Sequence, residues 1–98
     1  MLKKTKISGK NQVKVTFVLP GDQPHEKISV VGDFNNWDPG ANKLKKRSNN
    51  TYSTAVTLKK GKSYAFRYYA SDGIWFNDDA ADDYVHNEHG SVNCVVKA

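Results

Sequence analysis

Two tryptophans, one arginine and a serine–asparagine pair are the residues of this chain best suited to recognising a polar, ring-shaped ligand. Trp37 follows Val31-Gly32-Asp33-Phe34-Asn35-Asn36, where an apolar strand runs into a glycine and two asparagines. Asparagine tolerates the left-handed backbone of tight turns, and its amide donates and accepts hydrogen bonds in opposed directions. A flat indole beside such amides suits a sugar ring. The C–H face of the sugar packs on the π surface while its hydroxyls need paired donors and acceptors. Trp75 follows the Asp72-Gly73 turn, Arg67 lies in an aromatic-rich strand, and Ser91 and Asn93 sit near the C-terminus. Each stacked ring adds about 0.5–1.5 kcal/mol beyond its area burial, and Arg67 or Asn93 can bridge neighbouring hydroxyls. A shallow platform of this kind holds one sugar weakly and gains on a polymer by avidity. The same residues admit a purely structural reading. In it the indoles pack at strand ends, Arg67 pairs across strands, and Ser91 and Asn93 are ordinary outward residues.

The elements that must position these groups are strands. Short β runs recur between turn signals, and no segment sustains helical spacing. Strands are predicted over Gln12–Leu19, Lys27–Gly32, Lys43–Lys46, Tyr52–Leu58, Ser63–Ser71 and Ser91–Lys97, with short extended pieces near Ile74–Phe76 and Tyr84–His86. Turn-rich separators such as Asp38-Pro39-Gly40 and Lys59-Lys60-Gly61-Lys62 divide them. Six to eight short strands in 98 residues predict an all-β, antiparallel two-sheet sandwich. Period-two alternation puts Tyr64, Phe66, Tyr68 and Ala70 on the core face and Ala65, Arg67 and Tyr69 on the other, since an unpaired buried charge is costly. Val13, Val15, Phe17 and Leu19 form one inward row, and Tyr52, Thr54, Val56 and Leu58 another. Val92, Cys94 and Val96 face inward, while Ser91, Asn93, Val95 and Lys97 face out.

Length and composition narrow the function classes. Residues 1–98 have room for one domain, with its core at about 12–96 and a flexible 1–11 segment. The basic N-terminus leads into an alternating strand rather than a signal-peptide run, and nothing reaches transmembrane length. Single Cys94, set among valines, reads as a small buried hydrophobe in a reduced compartment, so a cytoplasmic address is expected. The net charge of +5 is uneven, with 14 basic and 4 acidic residues up to Arg67 and 1 basic and 6 acidic after it. The lysines are scattered, which suits solvated faces and edge-strand protection better than nucleic-acid binding. Only Lys45-Lys46-Arg47 forms a tight cluster. The acidic run Asn77–Asp83 lacks calcium-loop spacing and reads as a solvated loop, and His86 with His89 lacks a third zinc ligand. No cofactor and no metal are expected. A nucleophile-elbow sequence is absent, and a carboxylate pair would need a cleft that this length scarcely supports. No enzyme activity is expected.

Four blocks in order carry a family resemblance: Gly32-Asp33-Phe34-Asn35-Asn36-Trp37, Phe66-Arg67-Tyr68-Tyr69, Asp72-Gly73-Ile74-Trp75 and Gly90-Ser91-Val92-Asn93. Across about residues 12–96 the chain resembles the glycogen- and starch-binding carbohydrate-binding modules of family 48. These occur as the N-terminal early-set domain of isoamylases and branching enzymes and as the glycogen-binding domain of the AMP-activated protein kinase β subunit. The stretch from Trp75 to Asn93 looks most like the stand-alone bacterial version. The resemblance implies an immunoglobulin-like early-set sandwich that binds α-1,4-linked glucan without catalysis, with Trp37 and Trp75 at the two sugar-stacking positions. It puts Arg67 where the kinase-type modules have a lysine, His89 where they have a leucine, and Ser91 and Asn93 at the threonine and asparagine of the final block. One extra residue near Ser71 and a Trp75-to-Gly90 loop one residue longer depart from that pattern. The expected partner is an α-glucan, with a glycan-metabolising enzyme as a second, and the chain is expected to be a monomer without nucleic-acid or membrane partners. The alternative function is a spacer or protein-interaction domain that docks on such an enzyme without touching sugar.

Overall fold

The computed structural model describes residues 1–24 and 27–98, and the expected start of a strand at Lys27 adjoins the two residues outside that description. Two antiparallel sheets face one another, and among the described residues the only helical turn is a 3₁₀ turn at Asp33–Asn35. The first sheet runs β1 (Leu2–Lys6), β2 (Gln12–Pro20), β5 (Thr51–Lys59), β4 (Lys45–Lys46). The second runs β3 (Ile28–Gly32), β6 (Ser63–Ala70), β9 (Val92–Lys97), β8 (Asp83–His86), with β7 (Trp75–Phe76) also paired to β6. This is the expected immunoglobulin-like early-set sandwich. No helix among the described residues is long and apolar enough to cross a membrane.

Alternation built most of the interior as read from the sequence, although Val92 and Thr54, expected inward, are only half-buried and Ser53 on the other face of its strand is buried. Val13, Val15, Phe17, Leu19 and Leu58 on one sheet meet Ile28, Val30, Phe66, Tyr68, Ala70, Cys94 and Val96 on the other. An aromatic chain threads this core: Phe34 stacks on Phe17 at 5.6 Å, and Phe17 meets Phe66 edge-on at 5.0 Å. Tyr52, Val56 and Tyr64 pack against its margin. Burial also pushes the Cys94 thiol pKa up, as an inert interior thiol requires.

Four expectations are corrected. Residues 1–11 were expected to be a flexible lead-in, but Leu2–Lys6 pairs with β2 over five positions, from Leu2↔Phe17 to Lys6↔Val13. Lysines at three of its five positions hid that strand, because a lysine-rich edge signals protection rather than burial. Second, Val95 points outward yet is buried, between its cross-strand neighbours Ala65 and Asp83. Third, the acidic run 77–83 is not simply solvated. Asp78 is only 2% exposed, and its Oδ2 accepts from the Tyr68 hydroxyl at 2.8 Å, while Oδ1 accepts from the Ala80 N–H. The Asp78 N–H donates to Cys94 Sγ and the Asp78 carbonyl accepts from Tyr84 Oη, so this residue nails the loop to the second sheet. Segment 42–46 is also subtler than the single strand expected over Lys43–Lys46. Leu44 N–H donates to Ile28 O in the second sheet, whereas Lys45 and Lys46 pair with β5 in the first. Arg47 then turns back to Ser53 through Nε at 3.0 Å, so part of the basic cluster is spent on the β4–β5 turn.

Asp82 ties the sheets together from outside. Burial alone would raise its pKa, but the Lys4 ammonium at 2.6 Å and the Lys97 N–H at 2.7 Å outweigh that and hold it below the usual carboxylate value. A depressed carboxylate stabilises the fold above its unfolded pKa of about 3.9 and loses that contribution as pH falls through the lower folded value. Asp82→Asn should therefore cost about 0.5–1 kcal/mol in urea unfolding at pH 7. The gap from wild type should narrow as pH falls through that lowered pKa, and a gap that stays the same from pH 7 into acid would refute the pairing. Tyr68→Phe removes the hydroxyl donor of a buried carboxylate and should cost about 1–3 kcal/mol by the same measurement.

Candidate functional site: an aromatic groove on the second sheet

The Trp37 turn is built by its neighbours. A side chain at Gly32 would sit 2.4 Å from Ala65 O and 2.9 Å from Phe66 Cβ, so only glycine lets the chain leave β3 this close to β6. Asn35 then holds the turn from inside. Its Oδ1 accepts from Gly32 N–H, and its Nδ2 donates to Val30 O and to Asn42 Oδ1. Asn36 and Trp37 follow at φ 56° and 57°, two left-handed residues in a row, and the second is bulky. Such a conformation costs on the order of 1–3 kcal/mol and persists only where its surroundings enforce it. The enforcers here are the Trp37 N–H on Gly32 O at 3.0 Å and the Asp33 carboxylate. Asp33 Oδ1 accepts from the indole Nε1 at 3.2 Å, while Oδ2 accepts from the Ala65 N–H at 2.8 Å. The half-buried indole of Trp37 is thus moored to β6.

The pairing of β6 explains Arg67. Its first half pairs with β9 (Phe66↔Cys94) and its second half with β7 (Tyr68↔Phe76), both on the same edge. Continuing each register by one residue brings Asn93 and Asn77 opposite Arg67, at the seam between the two partners. Arg67 Nε donates to Asn77 Oδ1 at 2.8 Å, and Asn77 Nδ2 donates to Val92 O at 2.8 Å. The guanidinium carbon lies 5.9 Å from the Trp75 ring centre, within cation–π range. Trp75 also rests on Tyr69, with ring centres 4.8 Å apart, and remains 44% exposed. The extra residue near Ser71 is absorbed in the tight 70–74 turn, closed by Ala70 N–H on Ile74 O and by Gly73 at φ 89°.

The β8–β9 turn supplies the third wall. Asn87 Oδ1 accepts from the N–H groups of both His89 and Ser91, its N–H donates to Ser91 O, and its Nδ2 donates to Asn93 Oδ1 at 3.1 Å. His89 stands exposed at the rim, 3.8 Å from the Glu88 carboxylate. The three walls enclose one open groove of about 510 Å³. Trp37, Arg67, Trp75, His89, Ser91 and Asn93, the six residues singled out from the sequence, all line it, together with Asn87 and Glu88. A larger hollow of about 770 Å³ shares none of these residues, has no tryptophan, and is walled by carboxylates such as Asp22, Asp78 and Asp79. Sequence reasoning missed Asp33, Asn77 and Asn87, which orient Trp37, Arg67 and Asn93. Only Asn87 left a local signal: asparagine three residues before glycine and four before serine is the pattern of a side chain closing a turn.

Chemically, the groove offers two apolar ring faces, a guanidinium and an amide on its floor, and a hydroxyl and a carboxylate at its edge. That set can stack on a flat apolar ring and hydrogen-bond its polar rim. Fold and site together define a β-sandwich module with an open aromatic platform on its outer sheet. The chain belongs to the family described as the glycogen recognition site of AMP-activated protein kinase, whose model matches residues 9–98. It is also similar to two enzymes named amylopullulanase. One, from Thermoanaerobacter thermohydrosulfuricus, is 34% identical over 67 residues, covering 64% of this chain and 4% of the enzyme. The other, from Thermoanaerobacterium thermosulfurigenes, is 35% identical over 82 residues, covering 81% of this chain and 4% of the enzyme. The chain therefore spans a small fraction of the length of these curated relatives.

The mooring of Trp37 is testable without ligand. Asp33→Ala should reduce the near-ultraviolet circular dichroism of the indoles and cost about 1 kcal/mol in stability. In a Trp37→Phe background the spectroscopic effect should vanish, and its persistence there would show that Asp33 acts elsewhere.

Proposed function

We propose that this chain is a non-catalytic module that binds α-1,4-linked glucan (glycogen, starch or a maltooligosaccharide) through the groove on its second sheet. The observation that carries this reading is the convergence of two indoles, a tethered guanidinium and the Asn93 amide on a single open surface. Indole faces favour the C–H faces of successive glucose units, and the donors between them suit vicinal hydroxyl oxygens. The family membership and the similarity to two amylopullulanases support the same ligand class. An open groove leaves much of the ligand wet, so affinity for a short glucan should be on the order of 0.1–1 mM. On a polymer that displays many sites, such a module brings an associated glycan-metabolising enzyme to its substrate by avidity. We read the chain as a cytoplasmic monomer in that role, which the single buried Cys94 suits.

Titration with maltoheptaose should shift tryptophan fluorescence, and Trp37→Ala or Trp75→Ala should each weaken binding by about tenfold or more while leaving the unfolding transition cooperative. Because the ligand is neutral, affinity should hardly change between 50 and 500 mM salt, unlike the steep slope of a nucleic-acid complex. Amide resonances unmoved at about 10 mM sugar, well above the expected dissociation constant, would overturn the glucan reading and leave a spacer or enzyme-docking domain.

A further inference from the structure

The groove-facing atom of Asn93 is decided by Asn87, a residue that the family resemblance does not single out. Asn87 Oδ1 faces two backbone donors, the N–H groups of His89 at 2.9 Å and Ser91 at 3.1 Å. Only an acceptor fits there, so the Asn87 amide has one permitted orientation and its Nδ2 must point the other way. That Nδ2 meets Asn93 at 3.1 Å, and only an oxygen of Asn93 can receive it. Asn93 is thereby locked as well, with its Oδ1 consumed internally. Its Nδ2 has no hydrogen-bond partner among the described residues and belongs to a side chain lining the groove. Two backbone N–H groups thus decide, through two amides, that this part of the groove is a donor.

We infer that Asn87 is a positioning residue that sets the hydrogen-bond polarity of the glucan groove, turning Asn93 Nδ2 to the ligand as a donor beside Arg67. The inference rests on the glucan reading above and deepens it. With Arg67 already a donor from its free guanidinium nitrogens, the groove floor offers donors to adjoining hydroxyl oxygens, while the Glu88 carboxylate and Ser91 hydroxyl supply acceptors at the rim. A ligand must then place oxygen acceptors toward the floor and O–H donors toward the β8–β9 turn. This fixes which edge of a sugar ring faces inward.

Asn87→Asp separates this role from turn building. The new carboxylate still accepts from His89 and Ser91, so the turn is kept. Its second oxygen cannot donate to Asn93, which rotates its amide by half a turn and presents Oδ1 to the groove. In wild type, the side-chain NH₂ signals of Asn87 should be protected from solvent exchange and those of Asn93 should exchange quickly. In Asn87→Asp the Asn93 NH₂ should become protected. Maltoheptaose affinity should fall about threefold to tenfold, the loss of one neutral hydrogen bond. In an Asn93→Ala background the same substitution should cost nothing further, because the effect travels through the Asn93 amide. Three outcomes would overturn the inference: unchanged affinity in Asn87→Asp, an equal loss with Asn93 absent, or an Asn93 amide whose exchange does not respond. Failure of wild type to bind glucan overturns the functional reading instead, and the exchange measurement then still decides whether Asn87 locks the amide.

Discussion

The pleat of β6 is the constraint on which both halves of this molecule depend. Along eight residues it sends Phe66, Tyr68 and Ala70 into the interior, and Arg67 to the groove with Tyr69 beneath Trp75 on the opposite face. Successive side chains of a strand must point to opposite faces, so the core and the floor of the groove share one backbone. Any slip of register would bury the guanidinium and expose the aromatic core together. The burial of Phe66 and Tyr68 against the opposite sheet is what prevents that slip, and it therefore also holds the floor of the groove in place.

The edge of β6 explains why the groove lies where it does. Most strand edges in a sandwich have a single neighbour, but this one is shared by β9 and β7. At the seam between them, opposite Arg67, side-chain amides take over from the backbone ladder. Asn77 bridges Arg67 and the Val92 carbonyl, and the buried carboxylate of the next residue, Asp78, anchors that bridge through Tyr68. A flexible cation needs such tethering. An untethered arginine gives up on the order of 2 kcal/mol of rotamer freedom when it is ordered by a ligand. Here part of that ordering is complete before anything binds.

Trp37 is prepared differently, through backbone strain. Two consecutive left-handed residues are held by the Gly32 carbonyl, the Asn35 amide and the Asp33 carboxylate. The glycine permits the close approach, the asparagine closes the turn, and the carboxylate reads the indole N–H. A core-capping tryptophan would not require this conformation. The ring is half exposed, with its Nε1–H edge held by the Asp33 carboxylate.

The sequence by itself determined the two-sheet architecture, the inward rows and the six residues that come to line the groove. The first two follow from period-two alternation and turn residues, local properties of the chain, while the set of six also needed the resemblance of its motifs to a known family, which alone pointed to His89. It did not reveal β1, whose lysines carry no alternation, nor the burial of Asp78, since a carboxylate in an acidic run signals solvent until Tyr68 is known to face it. Tertiary structure alone decided that Asp33, Asn77 and Asn87 orient the groove residues, because their partners lie on other strands or depend on geometry that spacing does not encode. Residue types are written along the chain, but the direction in which an amide or a guanidinium points is set by what folding brings opposite it.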